Sequence, residues 1–182
     1  ARLTKYNLPE ASHDLRSQAG GKRVVLVVGQ VPDDQATKLG AGAFSDMASL
    51  VEAARAHAGD AFLVFKEHPD LVAGHRRGHG QGERIGRTAD LVLRDGNFAS
   101  LLPSVDEVHV LSSLAGFEAL LREKPVVCWG RPFYAGWGLT RDMADLPRRG
   151  VARSLDELVA ACLIRYPRYV EPLTGIPVGV ED

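Results

Sequence analysis

The stretch Arg23-Val-Val-Leu-Val-Val-Gly29 decides the fold. Its unbroken run of aliphatic, mostly β-branched residues is typical of a strand that is buried on both faces, as in the centre of a parallel sheet. Further apolar runs predict four more strands: Ala61–Phe65, Leu91–Leu93, Glu107–Leu111 and Pro125–Trp129. Because segments with helical patterns separate these runs, we expect βαβ units, a mostly parallel sheet and right-handed crossovers.

Capping residues and breakers mark the segments between the strands. The predicted helices run from a cap at Ser45 to a stop at Gly59, over Phe98–Leu102, from Ser112-Ser113 to about Arg122, and from a capping box at Ser154 to Pro167. Residues 74–88 are rich in Gly and Arg and have no apolar period. That composition predicts a mobile surface loop.

The composition favours one α/β domain without a strong charge bias. A chain of 182 residues is long enough for one domain with a substantial core. The net charge is -1, from 22 Lys and Arg against 23 Asp and Glu, which argues against nucleic acid as the main partner. Cys128 and Cys162 lie far apart in apolar stretches, as buried thiols in a reducing compartment do. With no long apolar run and no signal peptide, we expect a cytoplasmic location.

Polar motifs follow four of the five predicted strands. In a parallel sheet the C-terminal ends of the strands lie at one edge, where loops and helix N-termini form ligand sites. The motifs are Gln30-Val-Pro-Asp-Asp34, Lys66-Glu-His-Pro-Asp70, Ser112-Ser113 and Gly130-Arg-Pro-Phe-Tyr-Ala-Gly-Trp-Gly138. We therefore expect four loops to direct polar groups into one crevice.

The serine pair is a candidate phosphate site. Ser112 and Ser113 open a helix, where hydroxyls, free backbone N–H groups and the positive end of the helix dipole favour an anion. The alternative is an ordinary N-cap. Glu118, further along the same helix, is either an acceptor for ribose hydroxyls or a solvated glutamate.

His68 precedes Pro69, which restricts its backbone and fixes where the imidazole points. With Lys66 nearby it could stabilise a phosphate leaving group, or it could be a structural histidine. Asp33 and Asp34 are adjacent in a loop, so we expect one functional carboxylate and one turn-former. A turn or helix-entry role for the pair is the alternative.

The loop after the fifth strand combines a guanidinium with aromatic rings. Arg131, with Phe133, Tyr134 and Trp137, would suit an anionic sugar that carries a carboxylate and apolar ring faces. A packed surface loop is the alternative. His75 and His79 have the spacing of metal ligands, but without an apparent third ligand they indicate a solvated basic loop, and no metal is expected.

The motifs together resemble the capsular polysaccharide synthesis family that contains the retaining β-Kdo transferases, where Kdo is 3-deoxy-D-manno-oct-2-ulosonic acid. The segments that carry the resemblance are Gly29-Gln-Val-Pro-Asp-Asp34, Lys66-Glu-His-Pro-Asp70, Asp106-Glu-Val-His-Val-Leu-Ser-Ser-Leu-Ala-Gly-Phe-Glu-Ala-Leu-Leu121, Lys124-Pro-Val-Val-Cys-Trp-Gly130, Pro132-Phe-Tyr-Ala-Gly-Trp-Gly-Leu-Thr140 and Tyr166-Pro-Arg-Tyr169. The Gly-Phe-Glu-Ala-Leu and Pro-Phe-Tyr-Ala-Gly-Trp-Gly-Leu-Thr blocks are specific, whereas other CMP-sugar transferases share the His-Pro and Ser-Ser pairs.

The resemblance implies a Rossmann-like sheet with helices on both faces, as the C-terminal, donor-binding half of a two-domain GT-B glycosyltransferase. Residues 1–182 would form this single domain, and residues 1–21 would lead in from a missing N-terminal acceptor domain, because the chain begins at a polar stretch without Met. The donor would be CMP-Kdo and the acceptor a lipid-linked saccharide of the capsule assembly machinery. No cofactor is implied, and the enzyme would lie at the inner face of the cytoplasmic membrane.

The resemblance also implies roles for single residues. It assigns the CMP phosphate to His68, Lys66, Ser112 and Ser113, the ribose to Glu118, and the reacting sugar to Gln30 and Asp34. Asp34 would be the nucleophile of a retaining reaction, with Asp33 as the fallback. The chain departs from the family pattern at Gln35-Ala36-Thr37, so contacts there differ. Without the acceptor domain, the isolated fragment should be inactive.

Two other functions fit the same motifs. One is a different CMP- or UDP-sugar transferase, since the donor base cannot be read from these motifs and a fold does not fix a function. The other is a noncatalytic sugar- or lipid-binding module of capsule export. The second alternative predicts no nucleotide affinity and leaves the serine and histidine motifs unexplained.

Overall fold

A parallel sheet forms the centre of the protein, for which a computed structural model describes residues 13–31, 33–44, 46–72 and 81–181. The strands are β1 Val24–Val28, β2 Phe62–Lys66, β3 Leu91–Leu93, β4 Glu107–Val110, β5 Val126–Cys128 and β6 Arg141–Asp142. They are all parallel and lie in the order β3-β2-β1-β4-β5-β6. With helices on both faces, this order is that of a Rossmann-like fold, so the predicted fold class is confirmed.

Helices connect the strands. They are α1 Leu15–Gln18, α2 Gln35–Gly40, α3 Met47–Ala58, α4 Pro69–Val72, α5 Gly82–Thr88, α6 Phe98–Leu101, α7 Leu114–Leu120 and α8 Leu155–Val159. A 3-10 turn, Leu102–Ser104, follows α6, and a π-helical segment, Ala160–Arg165, follows α8. The chain ends in a small antiparallel pair, β7 Tyr169–Val170 and β8 Pro177–Val178. Within the described ranges, none of the helices has both the length and the apolar character that a membrane crossing requires.

Strand β1 is buried on both faces. All five of its side chains are buried, and they alternate between two hydrophobic clusters, with Val24 and Leu26 in one and Val25 and Val27 in the other. The first cluster includes Phe117 of α7, and the second includes residues of α3. Burial of each such aliphatic side chain contributes about 1.5–3 kcal/mol. The unbroken apolar run of β1 is thus the consequence of helices on both sides of the sheet.

The predicted helix around residues 45–59 begins later than expected. Its N-cap is Asp46, whose carboxylate accepts a hydrogen bond from the backbone N–H of Ser49, and Ser45 lies outside the described residues. The predicted stop at Gly59 is confirmed, because this residue has a φ of 64° that favours glycine. Helix α2 and strand β6 were not predicted, since both are short and neither has an apolar period.

The prediction of a loop over residues 74–88 is wrong in its second half. Residues 82–88 form α5, whereas residues 73–80, with His75 and His79, lie outside the described part of the chain. Only Ile85 of α5 is buried, and Arg84 pairs with Asp46 and Glu52. A helix that is held mainly by ion pairs to its neighbours has no apolar period to reveal it.

The predicted lead-in contributes to the domain from α1 onwards. Leu15 is fully buried in the same hydrophobic cluster as Val24, and Ala19 packs there as well. Two nitrogens of Arg16 donate to the two carboxylate oxygens of Asp106, each over 2.7 Å. Residues 15–19 therefore pack as part of this fold.

Two aspartates hold the starts of the strands together in the same way. Asp106 precedes β4 and accepts hydrogen bonds from the Val24 backbone N–H and from Arg16. Asp90 precedes β3 and accepts from the Leu63 backbone N–H and from Arg55. The hydrogen bonds from Arg16 and then from Val24 hold the pKa of Asp106 below its usual range, although partial burial opposes them. Each aspartate thus joins a neighbouring strand to a helix.

We predict that Asp106→Asn destabilises the domain by about 1–2 kcal/mol, because charge-assisted hydrogen bonds are lost. For a domain of this size that corresponds to a decrease in Tm of about 2–8 °C in thermal unfolding. A carboxyl with a lowered folded-state pKa contributes stability above its unfolded pKa, and this stability is lost as pH falls through the folded pKa. The difference from wild type should therefore shrink below about pH 4.

The exposed Asp60 provides the matched control for this change. Asp60→Asn removes the same charge and should leave Tm nearly unchanged. An equal effect of the two substitutions would mean that net charge, rather than the Arg16–Asp106 contact, determines the loss.

Candidate functional site

A cleft of about 440 Å³ lies at the C-terminal edge of the sheet. At this place β1 and β4 are neighbours in the sheet, although β2 and β3 lie between them in the chain. The connections that leave β1 and β4 therefore cross to opposite faces of the sheet. Such a switch point is where open α/β sheets bind ligands. The residues that line the cleft follow β1, β2, β3 and β4, and Phe133 after β5 completes the lining.

Most of the predicted site residues line this one cleft. They are Gln30, Asp34, Lys66, His68, Ser112, Ser113 and Glu118. Asp33, Arg131, Tyr134 and Trp137 do not belong to the lining. The structure therefore brings the proposed phosphate, ribose and nucleophile residues together and leaves the predicted sugar-carboxylate group outside.

The side chain of Gln30 connects three segments at the floor of the cleft. Its Oε1 accepts from the backbone N–H of Ser112 over 2.8 Å, and its Nε2 donates to Ser112 Oγ over 3.0 Å and to Thr37 Oγ1 over 3.1 Å. Only 5% of the residue is exposed. These contacts make Gln30 a bridge between β1, α2 and the start of α7, in addition to its predicted place at the reacting sugar.

Both serines have hydrogen-bond partners within the protein. Ser112 Oγ donates to the Ala36 carbonyl over 2.8 Å. Ser113 is the N-cap of α7, and its Oγ accepts from the backbone N–H of Ala115 over 3.2 Å. The N-cap interpretation therefore describes Ser113 correctly, while both residues still face the cleft.

The two adjacent aspartates have different surroundings. Asp34 is at the N-cap position of α2 and lines the cleft, yet within the described residues its side chain makes no capping hydrogen bond to the helix. Asp33 lies outside the cleft, with its carboxylate 3.9 Å from Lys38 Nζ and its side chain 67% exposed. Of the two aspartates, Asp34 is therefore the one that faces the cleft, and its role as the functional carboxylate stays a prediction.

Lys66 and His68 place positive charge and a donor on the β2 side of the cleft. Lys66 is 5% exposed and its Nζ donates to the Glu67 carbonyl over 3.2 Å. Burial lowers the pKa of Lys66, against the opposing effect of Asp95 and Glu67. His68 Nδ1 accepts from the backbone N–H of Asp70 over 3.2 Å, so the proton of a neutral His68 is on Nε2.

The loop after β5 contains the predicted aromatic shelf, which is Arg131 with Phe133, Tyr134 and Trp137, and most of these side chains do not line the cleft. Tyr134 is fully buried, and its hydroxyl donates to the Ser113 carbonyl. The Trp137 indole N–H donates to the Phe133 carbonyl over 2.8 Å. Arg131 is exposed, and its backbone N–H donates to the Gly40 carbonyl over 2.8 Å. The sequence shows which rings lie in the loop but not which ring faces the ligand, because the loop has no regular period.

Two parts of the lining were missed by sequence reasoning. Phe133 was noted only as a member of the shelf, yet it is the aromatic residue of this loop that lines the cleft. Asn97 and its neighbours line the cleft after β3, and the Asn97 side chain caps α6. The position of Gly96-Asn97 directly after a predicted strand was the available signal, since such ends form ligand sites.

A family described as "Capsule polysaccharide biosynthesis protein" matches residues 2–169. The chain belongs to this family. The family match agrees with the resemblance that the sequence motifs indicated.

Two bacterial relatives are similar to almost the whole of this chain. The chain is 40% identical over 179 residues to the "Capsule polysaccharide modification protein LipA" of Neisseria meningitidis serogroup B, covering 98% of this chain and 25% of that protein. It is 39% identical over 179 residues to the "Lipopolysaccharide-processing protein LpsZ" of Rhizobium meliloti, covering 98% of this chain and 41% of that protein.

Two solved structures from Thermosulfurimonas dismutans share the fold of this family member. The first is KpsC, beta Kdo 2,7 transferase, with a TM-score of 0.77 and 35% identity, covering 96% of this chain and 53% of that chain. The second is KpsC, beta Kdo 2,4 transferase, with a TM-score of 0.81 and 33% identity, covering 97% of this chain and 55% of that chain. The chain thus spans between 25% and 55% of the length of these relatives.

A second polar cluster lies beside β4, outside the cleft lining. In the part of the chain that the structure describes, His57, Glu107 and His109 bring potential metal-ligand atoms within 4.8 Å of one another. His109 Nδ1 accepts from the Trp129 indole N–H over 3.2 Å, and its Nε2 lies 2.7 Å from Glu107 Oε1. The ring proton is therefore on Nε2 and directed at Glu107, which leaves no lone pair on His109 for a metal. Hydrogen bonds hold His109 and Glu107, and His57 packs by its ring against His109 and Trp129.

We predict that Gln30→Leu lowers the free energy of unfolding by about 1–3 kcal/mol, because the backbone N–H of Ser112 loses its acceptor. Chemical denaturation measures this change. Gln35→Leu is the matched control, since Gln35 is exposed on α2 and should tolerate the change within about 0.5 kcal/mol. Unchanged stability of Gln30→Leu would show that the bridge is not structural and would leave Gln30 with its sugar role alone.

Proposed function

We propose that this domain is the donor-binding half of a GT-B glycosyltransferase that binds CMP-Kdo and transfers Kdo with retention to a lipid-linked saccharide. One observation carries the proposal: a single cleft at the switch point of the sheet contains the predicted phosphate, ribose and nucleophile residues. The family membership and the β-Kdo transferase neighbours support the choice of donor. The remainder of such an enzyme would supply the acceptor side of the cleft, at the cytoplasmic face of the membrane.

The β2 side of the cleft suits the phosphate of the donor. His68 would donate from Nε2, because Nδ1 accepts from the Asp70 backbone. Lys66 would supply a positive charge. Burial lowers the pKa of Lys66, and a bound phosphate would raise it by favouring the protonated ammonium. Nucleotide binding should accordingly weaken as pH rises through the pKa of Lys66. The two residues would also offset the charge that CMP gains as a leaving group.

Ser112 and Ser113, before the first turn of α7, would hold the phosphate together with His68, and the helix beyond them suits the nucleoside. Glu118 lines the cleft one turn beyond Ser113 and is half-buried. Its carboxylate oxygens can accept hydrogen bonds from two vicinal hydroxyls, which is the recognition that a ribose requires. A ligand held at both sides would extend from His68 to Glu118 across the switch point.

Asp34, which lines the same cleft, would act as the nucleophile at the reacting sugar, which is attached to the phosphate on the side away from the ribose. A carboxylate oxygen of Asp34 bonds to the anomeric carbon of Kdo while the bond to the phosphate oxygen breaks, and CMP leaves with the electron pair. An acceptor hydroxyl then displaces Asp34 from the same carbon, and its proton passes to solvent or to phosphate. Each step inverts the carbon, so two steps retain its configuration. The absence of a side-chain capping bond within the described residues leaves the Asp34 carboxylate available for this role.

We predict that CMP stabilises the protein, because the phosphate and ribose contacts lie within one cleft. At a CMP concentration of about 100 times Kd, linkage gives roughly 2.7 kcal/mol of added stability. Thermal shift with CMP, UMP and GMP measures it. His68→Ala should weaken CMP binding by about 1–3 kcal/mol through loss of a phosphate contact.

His57→Ala is the matched control, because His57 lies at the end of α3 beside Trp129, outside the cleft lining. CMP affinity should be unchanged in this variant. Equal, small shifts for all three nucleotides would remove the CMP assignment, and stronger binding of UMP would favour a UDP-sugar donor. If His68→Ala unfolds while its folded fraction binds CMP normally, His68 is a structural histidine.

We predict that Asp34→Asn reduces Kdo transfer by the full-length enzyme at least about 10³-fold. CMP-Kdo binding should stay within about tenfold, because the lost interaction belongs to the transition state rather than to ground-state binding. Transfer assays and equilibrium binding together separate the two quantities. A Kdo adduct on Asp34, trapped and located by mass spectrometry, would identify the nucleophile directly.

Asp33→Asn is the control for the Asp34 substitution, since Asp33 lies outside the cleft in an adjacent position. It should keep most of the transfer activity. Activity in Asp34→Asn together with loss in Asp33→Asn would shift the nucleophile by one residue. Activity in both variants would exclude a carboxylate nucleophile from this loop.

A further inference from the structure

The loop of residues 131–137, here called the aromatic loop, is held rigidly on α7. The Tyr134 ring lies beneath it and packs in T-shaped geometry against Phe133, with ring centroids 5.1 Å apart. The Trp137 indole donates to the Phe133 carbonyl, and an Arg149 nitrogen donates to the Pro132 and Ala135 carbonyls. A side chain at Gly116 would place its Cβ 2.2 Å from the Tyr134 hydroxyl oxygen, so only glycine permits this contact.

The aromatic loop presents one ring to the cleft. Phe133 lines the cleft and is 43% exposed, whereas Tyr134 is fully buried. Phe117 of α7 supports the Phe133 ring from the side, with centroids 5.2 Å apart. A large apolar ring that is fixed by its neighbours and exposed within a ligand cleft is a surface ready to pack against a flat or apolar group.

The strand order places Phe133 at the nucleoside end of the cleft. Across the sheet edge, His68 follows β2, Asp34 follows β1 and Ser113 follows β4, and Phe133 follows β5. Of the strands that these four residues follow, β5 is the farthest from β2 in the sheet order, and the Phe133 ring contacts Phe117, which precedes Glu118 in α7. A donor with its ribose at Glu118 therefore directs its base at this ring, because the reacting sugar is attached to the phosphate and the base to the other end of the ribose.

We propose that Phe133 is the stacking platform for the nucleobase of the donor, an inference that rests on the proposed function. Phenylalanine has no polar atoms in its side chain, so the platform contributes affinity by stacking rather than recognition of the base edge. Base stacking on an aromatic side chain is typically worth about 5- to 150-fold in affinity. Because Tyr134, Phe117 and Trp137 already fix the ring, little ordering accompanies binding.

The test compares CMP with ribose 5-phosphate, which has the phosphate and the ribose but no base. Calorimetric titration of the full-length protein should show that Phe133→Ala and Phe133→Leu weaken CMP binding about 5- to 150-fold. Binding of ribose 5-phosphate should change less than about twofold, and Phe133→Tyr, which keeps the ring, should bind CMP within about threefold of wild type. Phe133→Leu keeps an apolar side chain of similar size, so it serves if Phe133→Ala does not fold.

Phe44→Leu is the matched control, because the Phe44 ring packs on Trp129 away from the cleft lining. Equal weakening of CMP and ribose 5-phosphate in the Phe133 variants would overturn the stacking role and leave Phe133 as a residue that shapes the cleft. Normal CMP binding with weakened CMP-Kdo binding would place the ring against the sugar instead. If wild type itself binds no CMP, the proposed function fails; if wild type and Phe133→Ala bind CMP equally, only the stacking proposal fails.

Discussion

The side-chain amide of Gln30 joins the end of the central strand to both neighbouring connections. Its oxygen holds the backbone of Ser112 and its nitrogen holds Ser112 Oγ and Thr37. Because β1 and β4 are adjacent at the switch point, this one side chain fixes the distance between the start of α7 and α2. Asp34 and Ser113 lie on the two segments that it connects. The geometry of the proposed nucleophile and of the nucleoside side of the cleft therefore depends on one buried amide.

Glycines allow the same segments to approach closely on the other side. A Cβ at Gly130 would lie 2.1 Å from the Gly40 carbonyl oxygen, and the adjacent Arg131 N–H donates to that oxygen. A Cβ at Gly40 would lie 2.9 Å from Ser112 Cβ. The end of α2 thus packs between the loops that follow β4 and β5. Close backbone packing here, rather than side-chain bulk, joins the aromatic loop to the rest of the cleft.

The cleft carries more negative than positive side chains. Asp34, Glu67, Asp70 and Glu118 line it beside Lys66 and His68. Glu67 pairs with Arg94 and Asp70 lies 3.8 Å from His68, so part of this charge is balanced within the protein. An anionic donor would accordingly bind through a few directed donors rather than through a broad positive field. This arrangement suits a nucleophilic carboxylate, because a strongly positive site would hold the carboxylate in an ion pair.

The sequence by itself determined strands β1 to β5 of the sheet and the edge at which the site lies. The run from Val24 to Val28 can only be buried on both faces, and motifs that follow successive parallel strands must meet at one edge. The adjacency of Asp33 and Asp34 predicted one functional carboxylate and one turn residue, but it did not show which aspartate has which role. Tertiary structure alone decided that Gln30 bridges two loops, that residues 82–88 form a helix, and that Phe133 rather than Tyr134 or Trp137 faces the cleft. These features depend on contacts between segments far apart in the chain, which have no local period, so no pattern of neighbouring residues could reveal them.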